Sequence, residues 1–378
     1  MEAGYISCLS TKIQLLAELR QWQKAEQVLL LLANTTKSVT NRLGLVFYYI
    51  AEAWLAYLQH DESRSLKATR ELLQVLRAES IFTFFGWRSN VITAICVLAI
   101  EHDIEQEFAV KWLAKLRLNT SPPVYLEQWP WPVKIYSFDT LTIILEGKPI
   151  EQSGKSQKKI LELLEMLINF GGRDVHCDRL ASILWPDAEG DLARQAFETT
   201  LYRLRKIIGK DAVVLNAGLV SLNSNYCWLD LWAFEATASE LEQTLATSGR
   251  QSVVDKLIDR LLMLYRGTFL KHTDSGLVVL KQEQFLKKLC RVLDLAIDFY
   301  TTHRVNERIC QLLHKQLELK PMLETNYRRL MNHYSNLGQL DEALEIYRQC
   351  QRVLCQGFNL VLSNEIQLLV KQIQANRI

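Results

Sequence analysis

The sequence predicts a mainly α-helical protein with one short mixed α+β segment in its middle. Apolar residues recur at helical steps of three and four through residues 1–120, and again from about 231 to 378. Strand-like patterns are confined to the segment between 133 and 230. A run rich in proline and tryptophan, 121–132, separates the first helical block from that segment. We therefore expect helical repeats, a stiff linker, a central α+β domain and a second helical block, in that order.

Residues 1–120 predict three pairs of helices. Small and aromatic residues occupy internal positions, for example Trp22 with Ala25. A period of roughly 35 to 40 residues is typical of tetratricopeptide-like hairpins, each of which buries its apolar face only against a neighbour. The first pair begins almost at Met1, which suggests either the C-terminal part of a longer protein or a pair that caps against something else. The predicted pairs are 4–19 with 22–32, 46–59 with 63–77, and 83–102 with 105–116.

The linker, 121–132, contains four of the seven prolines of the chain. Proline fixes φ and removes an amide donor, so this segment predicts a stiff connection. Two interpretations of Trp129 and Trp131 remain open. Either these side chains hold the helical repeats against the next domain, or they pack only on the nearest strand.

The central domain, 133–230, has the element order of a winged helix. Gly171-Gly172 ends its first helix, because glycine commonly follows a helix end. Asn216-Ala217-Gly218 suits the turn of its terminal hairpin, because it contains residue types that tolerate positive φ. Strands, three helices and a hairpin are the order of the response-regulator (OmpR-type) winged helix. Outside the second and third helices, the predicted elements are strands at 133–138 and 141–145, a helix from about 156 to 170, and a hairpin at 213–222.

Residues 178–208 carry the strongest functional signal. They predict a short helix, an acidic loop opened by Trp185-Pro186, and a second, amphipathic helix that ends in basic residues. Arginines, an amide and hydroxyls on its outer face suit base edges and phosphates in a DNA major groove. The predicted inward residues are Ala193, Ala196, Phe197, Thr200, Leu201, Leu204, Ile207 and Ile208. The predicted outward residues are Arg194, Gln195, Thr199, Tyr202, Arg203, Lys206 and, nearer the edge, Arg205.

Four short motifs follow one another between 154 and 348. GKSQKK at 154–159 opens the first helix of the winged helix, and LWPD at 184–187 leads into its amphipathic third helix, the expected recognition helix. LYRGTFL at 264–270 and LGQLDEALEIYR at 337–348 lie in the second helical block. From about residue 130 onward, the chain thus resembles the antibiotic-regulatory-protein class of bacterial transcriptional activators. The resemblance implies a bacterial transcriptional activator domain with tetratricopeptide-like repeats over 231–378, in the C-terminal part of a larger regulator.

The resemblance also implies which residues contact DNA. Arg203 takes the place of a base-reading arginine, whereas Arg194, Arg205 and Lys206 take places suited to phosphates. The terminal hairpin, or wing, departs from the family pattern, because its turn at 216–218 lacks the arginine that is commonly inserted in the minor groove. The remaining implied contacts are Gln195, Glu198, Thr199, Thr200 and Tyr202 on the recognition helix, Lys155, Lys158 and Lys159 at the first helix, and Asn216 on the wing.

The sequence predicts no catalytic site, no metal site and no cofactor. Gly154-Lys155-Ser156 resembles part of a phosphate-binding loop, but Pro149 occupies the position of the required first glycine. The eight cysteines include no Cys-x-x-Cys pair, which indicates reduced thiols in a cytoplasmic protein. The most apolar stretch, 91–100, is too short for a membrane span, which needs about 20 residues.

A formal net charge of +2 provides no global attraction to nucleic acid, so DNA binding must come from a local basic face. We predict a cytoplasmic transcriptional regulator, an activator, whose winged helix reads double-stranded promoter DNA. Its helical repeats are expected to serve regulation or contact with RNA polymerase, and the chain is expected to self-associate on DNA. The alternative is a helical-repeat scaffold whose winged helix binds protein instead of DNA. The acidic residues around the recognition helix and the bare wing favour this alternative.

Overall fold

A computed structural model describes residues 2–37, 42–116, 120–150, 157–247 and 249–376. Sixteen α-helices and seven short strands lie within these ranges. The prediction of a mainly helical protein with a small central β region is therefore confirmed. The chain divides into two compact units. Unit 1 comprises Met1–Ile135, Ile143–Ile160 and Arg173–Leu229, and unit 2 comprises Tyr136–Thr142, Leu161–Gly172 and Asp230–Ile378.

The N-terminal part of unit 1 consists of three consecutive helix pairs, as predicted. The middle pair connects the others, because α3 packs against α1 and α5 as well as against its own partner α4. Each pair thus buries its apolar face against a neighbour, which is how helical repeats are stabilised. The six helices are α1 (Glu2–Glu18), α2 (Trp22–Lys37), α3 (Leu43–Leu58), α4 (Glu62–Ala78), α5 (Ser89–Glu101) and α6 (Gln106–Leu116).

The predicted start of the fifth helix, at Thr83, is wrong, because α5 begins at Ser89. Gly86 takes a φ of +77° in the preceding loop, a conformation that ends helical geometry. The Phe82 ring packs on Phe108 at 5.5 Å between centroids, and the Phe82 carbonyl accepts a hydrogen bond of 2.9 Å from the indole of Trp112. The conformation of this loop is therefore determined by packing against other helices, and the local spacing of apolar residues does not predict it.

In the linker, both predicted tryptophans are buried. The indole Nε1 of Trp131 donates to the Leu126 carbonyl at 2.9 Å, so the segment closes on itself. This contact fits the stiff connection predicted from the prolines.

The central elements follow the order of a winged helix. One sheet has the strand order β3-β2-β1-β7, with β1 and β7 parallel, and a second has the order β4-β6-β5. In the second sheet, β5 and β6 form the predicted hairpin, or wing. The elements are β1 (Val133–Tyr136), β2 (Thr142–Leu145), β3 (Lys148–Pro149), α7 (Lys158–Asn169), β4 (Val175–His176), α8 (Cys177–Leu184), α9 (Gly190–Ile208), a 3₁₀ turn (Lys210–Ala212), β5 (Val213–Asn216), β6 (Leu219–Leu222) and β7 (Cys227–Leu229).

The C-terminal part of unit 2 is helical, as predicted. Successive helices pack in pairs, α10 with α11, α12 with α13 and α14 with α15. The helices are α10 (Asp230–Ala246), α11 (Gln251–Leu264), α12 (Gly276–His303), α13 (Asn306–Leu319), α14 (Glu324–Asn336), α15 (Leu340–Cys350), a π-helical turn (Gln351–Gly357) and α16 (Asn364–Ala375).

Unit 2 also includes the connection between β1 and β2. Phe138 of this connection is buried, with its ring centroid 5.0 to 6.0 Å from four other aromatic rings. Edge-to-face and tilted aromatic contacts of this kind contribute about 0.5–1.5 kcal/mol each beyond area burial. The four rings belong to Phe234, Tyr265, Phe269 and Phe285.

The carboxylate of Asp230, the first residue of α10, holds the same connection. Its Oδ2 accepts hydrogen bonds from the amides of Ser137 at 2.7 Å and Phe138 at 2.9 Å, and its Oδ1 accepts one from the Ser137 hydroxyl at 2.6 Å. Burial raises the pKa of Asp230 to about 6, although these hydrogen bonds act in the opposite direction. One buried carboxyl group thus satisfies two backbone donors that would otherwise lack partners.

Candidate nucleic-acid interface

The helix-turn-helix of the candidate interface is built from α8 and α9, which pack on each other. Leu180 and Leu184 of α8 and Phe197 and Leu201 of α9 are buried. An acidic residue in the first turn of α9 and two basic residues in its last turn complement the helix dipole. The helix ends at Gly209, whose φ is +106°. The predicted buried face of the recognition helix is thus present, although Ala196 and Ile207, predicted to lie inward, are only half-buried.

The opposite face of α9 is exposed. It carries an amide, a phenol and two cationic groups, which together can pair with base edges and phosphates. The Thr199 hydroxyl donates to the Gln195 carbonyl at 2.9 Å, so its proton is used within the helix. The exposed residues on this face include Gln195, Glu198, Thr199, Tyr202, Arg203 and Lys206.

Arg194 is exposed but paired. Its Nη1 lies 2.9 Å from Oδ1 of Asp178 on α8, and its Nε lies 3.6 Å from Oε1 of Glu198 on α9. The neighbouring Cys177 and Asp178 raise the pKa of its guanidinium, which therefore stays charged. A phosphate contact by Arg194 would have to compete with these two carboxylates. Sequence reasoning missed Asp178, because its role depends on how α8 packs on α9.

Thr200 is not available for a DNA contact, which corrects the site predicted from the family resemblance. Its exposed fraction is 7%, and its hydroxyl donates to the Ala196 carbonyl at 2.8 Å. The helical spacing had already predicted an inward position for this residue, and that interpretation is the one the structure supports.

Arg205 has a structural contact at the edge of the recognition helix. It is half-buried, and its Nε donates to the Val213 carbonyl at 3.0 Å. The side chain therefore ties the end of α9 to β5, the first strand of the wing. The predicted phosphate contact of Arg205 would have to be made by its two Nη atoms, because Nε is used in this hydrogen bond.

The wing has a two-residue turn, Ala217-Gly218, with φ of 48° and 79° at these residues. Asn216 pairs with Leu219 at the end of the ladder, and the Asn216 side chain is exposed as its predicted role requires. Val214 and Leu215 of β5 are also exposed. The wing therefore presents an amide and apolar groups rather than a cation.

The three lysines predicted at the first helix have different outcomes. Lys155 lies outside the described residues. Lys158 begins α7 and is exposed, which fits a backbone contact. The Nζ atom of Lys159 lies 5.4 Å from the ring centroid of Trp185, the residue that opens the acidic loop. A cation–π contact at this distance orients the ammonium group.

All eight cysteines are free thiols. Among the residues that the structure describes, no three histidine, cysteine, aspartate or glutamate side chains are grouped closely enough to hold a metal ion. No helix in the described ranges is both long and apolar enough to cross a membrane.

A family model named Bacterial transcriptional activator domain matches residues 229–374. Residues 229–374 are thus similar to the activator domains of bacterial transcriptional regulators. The match begins one residue before Asp230 and includes α10 to α15. It confirms the resemblance, noted in the sequence, to bacterial activators that carry this domain.

The Regulatory protein AfsR of Streptomyces griseus is 23% identical over 210 residues. The matched stretch covers 56% of this chain and 21% of that protein, so the chain spans about a fifth of the length of this relative. Among solved structures, Mycobacterium tuberculosis EmbR in complex with a low-affinity phosphopeptide matches with a TM-score of 0.49 and 18% identity, over 65% of each chain.

Proposed function

We propose that the chain is a DNA-binding transcriptional regulator, an activator, that reads promoter DNA through α9. The activator domain at 229–374 and the similarity to a protein named as regulatory support the regulatory part of this proposal. The flanking helical repeats then provide surfaces for RNA polymerase and for a second copy of the chain.

The exposed face of α9 carries the DNA-binding part of the proposal. A helix placed in the major groove contacts base edges with its outward side chains, and arginine pairs with guanine through two hydrogen bonds. Gln195, Arg203 and Lys206 are exposed on that face, whereas Phe197 and Leu201 hold the helix from behind. Arg203 is the residue that we assign to a base edge, and Lys206 is assigned to a phosphate.

Selection of bound sequences from a random DNA pool with the full chain tests the proposal. Enrichment of one sequence motif is the expected result. Arg203→Ala should then weaken binding to that motif by about 1–3 kcal/mol and relax the preference at one base pair. Arg304→Ala is a matched control, because Arg304 is an exposed arginine at the end of α12.

The pool selection and the Arg203→Ala variant distinguish a wrong residue assignment from a wrong function. An equal loss of affinity on all sequences would make Arg203 a phosphate contact. No loss at all would refute the assignment of α9 as the recognition helix. Failure of the pool to enrich any motif would favour the protein-binding scaffold, which the pairing of Arg194 with Asp178 and Glu198 also favours.

A further inference from the structure

Two large apolar side chains lie on the outer side of the recognition helix. The exposed fraction is 59% for Leu192 and 69% for Tyr202. Exposed apolar residues are common when they occur singly. These two, however, share a helix with the polar groups to which we assign DNA contacts, so their position within that face is informative.

Leu192 and Tyr202 lie on the same face as the amide and the basic groups. Leu192, Gln195, Thr199, Tyr202 and Lys206 follow one another at steps of three or four residues, which places them in one row along a helix. Leu192 is in the first turn of α9, the part of a recognition helix that commonly contacts base edges. The row therefore presents two apolar side chains, Leu192 and Tyr202, among three polar ones on the same face of α9.

The polar capacity of this face is smaller than its composition suggests. The proton of the Thr199 hydroxyl is used by the Gln195 carbonyl, and Arg194 is paired with carboxylates. The apolar groups consequently make up a larger share of what the helix presents to a partner. The apolar group that a major groove offers is the C5-methyl of thymine.

We propose, resting on the DNA-binding function above, that Leu192 and Tyr202 read thymine C5-methyl groups. Ten residues of helix separate the two side chains, which corresponds to about 15 Å along the axis. Base pairs rise by about 3.4 Å, so the two methyl groups lie no more than about four base pairs apart. The amide of Gln195 lies between the two residues along the helix and is suited to adenine.

Replacement of thymine by deoxyuridine in the selected DNA motif tests this inference with the full chain. Deoxyuridine lacks only the methyl group and keeps the hydrogen-bonding groups of thymine. Two positions should each show about fourfold weaker binding when they are replaced, which is the effect of one buried carbon of this size. Leu192→Ala should abolish the difference between thymine and deoxyuridine at one position, and Tyr202→Ala should abolish it at the other.

Two further variants complete the design. Tyr202→Phe should behave like the native chain, because the ring and not the hydroxyl makes the contact. Leu368→Ala is a matched control, since Leu368 is 58% exposed on α16, away from the recognition helix. Its response to deoxyuridine should equal that of the native chain.

Two results would overturn the inference and leave DNA binding intact. One is equal affinity for the thymine and deoxyuridine forms at every position. The other is a weakening by Leu192→Ala and Tyr202→Ala that is the same for both forms of the DNA. Failure to select any motif would instead refute the proposed function, and the inference with it.

Discussion

The buried carboxyl group of Asp230 should make the stability of unit 2 depend on pH. Its pKa is about 6 in the folded chain, against an ordinary value of 3.8, because burial outweighs the hydrogen bonds from Ser137 and Phe138. The folded state therefore binds more protons than the unfolded state between these two values. The contribution of Asp230 to stability is fully present below the ordinary pKa and is lost as the pH rises through about 6.

The size of this effect follows from the shift in pKa. A shift of about two units corresponds to roughly 3 kcal/mol, of which about 1.5 kcal/mol develops between pH 5 and pH 8. Asp230→Asn keeps an acceptor for the two amides and cannot ionise. We expect the variant to become more stable relative to the native chain, by about 1.5 kcal/mol, between these two pH values.

Urea unfolding followed by circular dichroism from pH 5 to pH 8 measures the difference. Hydrogen exchange of the peptide that contains Ser137 and Phe138 reports the local opening. Asp274→Asn is the control, because Asp274 is exposed in the loop before α12. A constant difference across the pH range would refute the reasoning. A relative loss of stability at high pH would show that the hydrogen bonds outweigh burial.

Three other predictions concern DNA binding. The double variant Asp178→Asn with Glu198→Gln should release Arg194, strengthen binding to any duplex and steepen the salt dependence by about 0.9 in logarithmic slope. An unchanged slope would show that Arg194 contacts no phosphate. Two half-sites about 10 base pairs apart should bind two copies cooperatively, and the cooperativity should disappear in gel-shift titrations after insertion of about 5 base pairs. Equal affinity for single and paired sites would reject this arrangement. A chain limited to 128–378 should fold and keep its DNA affinity, so insolubility or complete loss of binding would show that the N-terminal helices belong to an inseparable core.

Local pattern was sufficient for much of the fold and for the recognition helix. The spacing of Phe197, Leu201 and Leu204 predicted which face of α9 is buried, because helical geometry converts spacing directly into direction. The position of the wing turn was also predictable, since Gly218 readily takes the φ of 79° that it adopts, although alanine is not typical of the φ of 48° found at Ala217. The motifs of the C-terminal block agree with the matched activator domain.

By itself, the sequence determined which segments are helices, where the wing turns and which face of α9 looks outward, because these depend on neighbours a few residues away. The tertiary structure alone decided which polar side chains are already hydrogen-bonded or ion-paired to distant parts of the chain. Arg194 meets a carboxylate 16 residues earlier in the chain, and Asp230 meets an amide 93 residues away. The aromatic loop before α5 likewise takes its form from Phe47 and Trp112 on other helices. Such contacts arise when packing brings distant residues together, and no local periodicity encodes them.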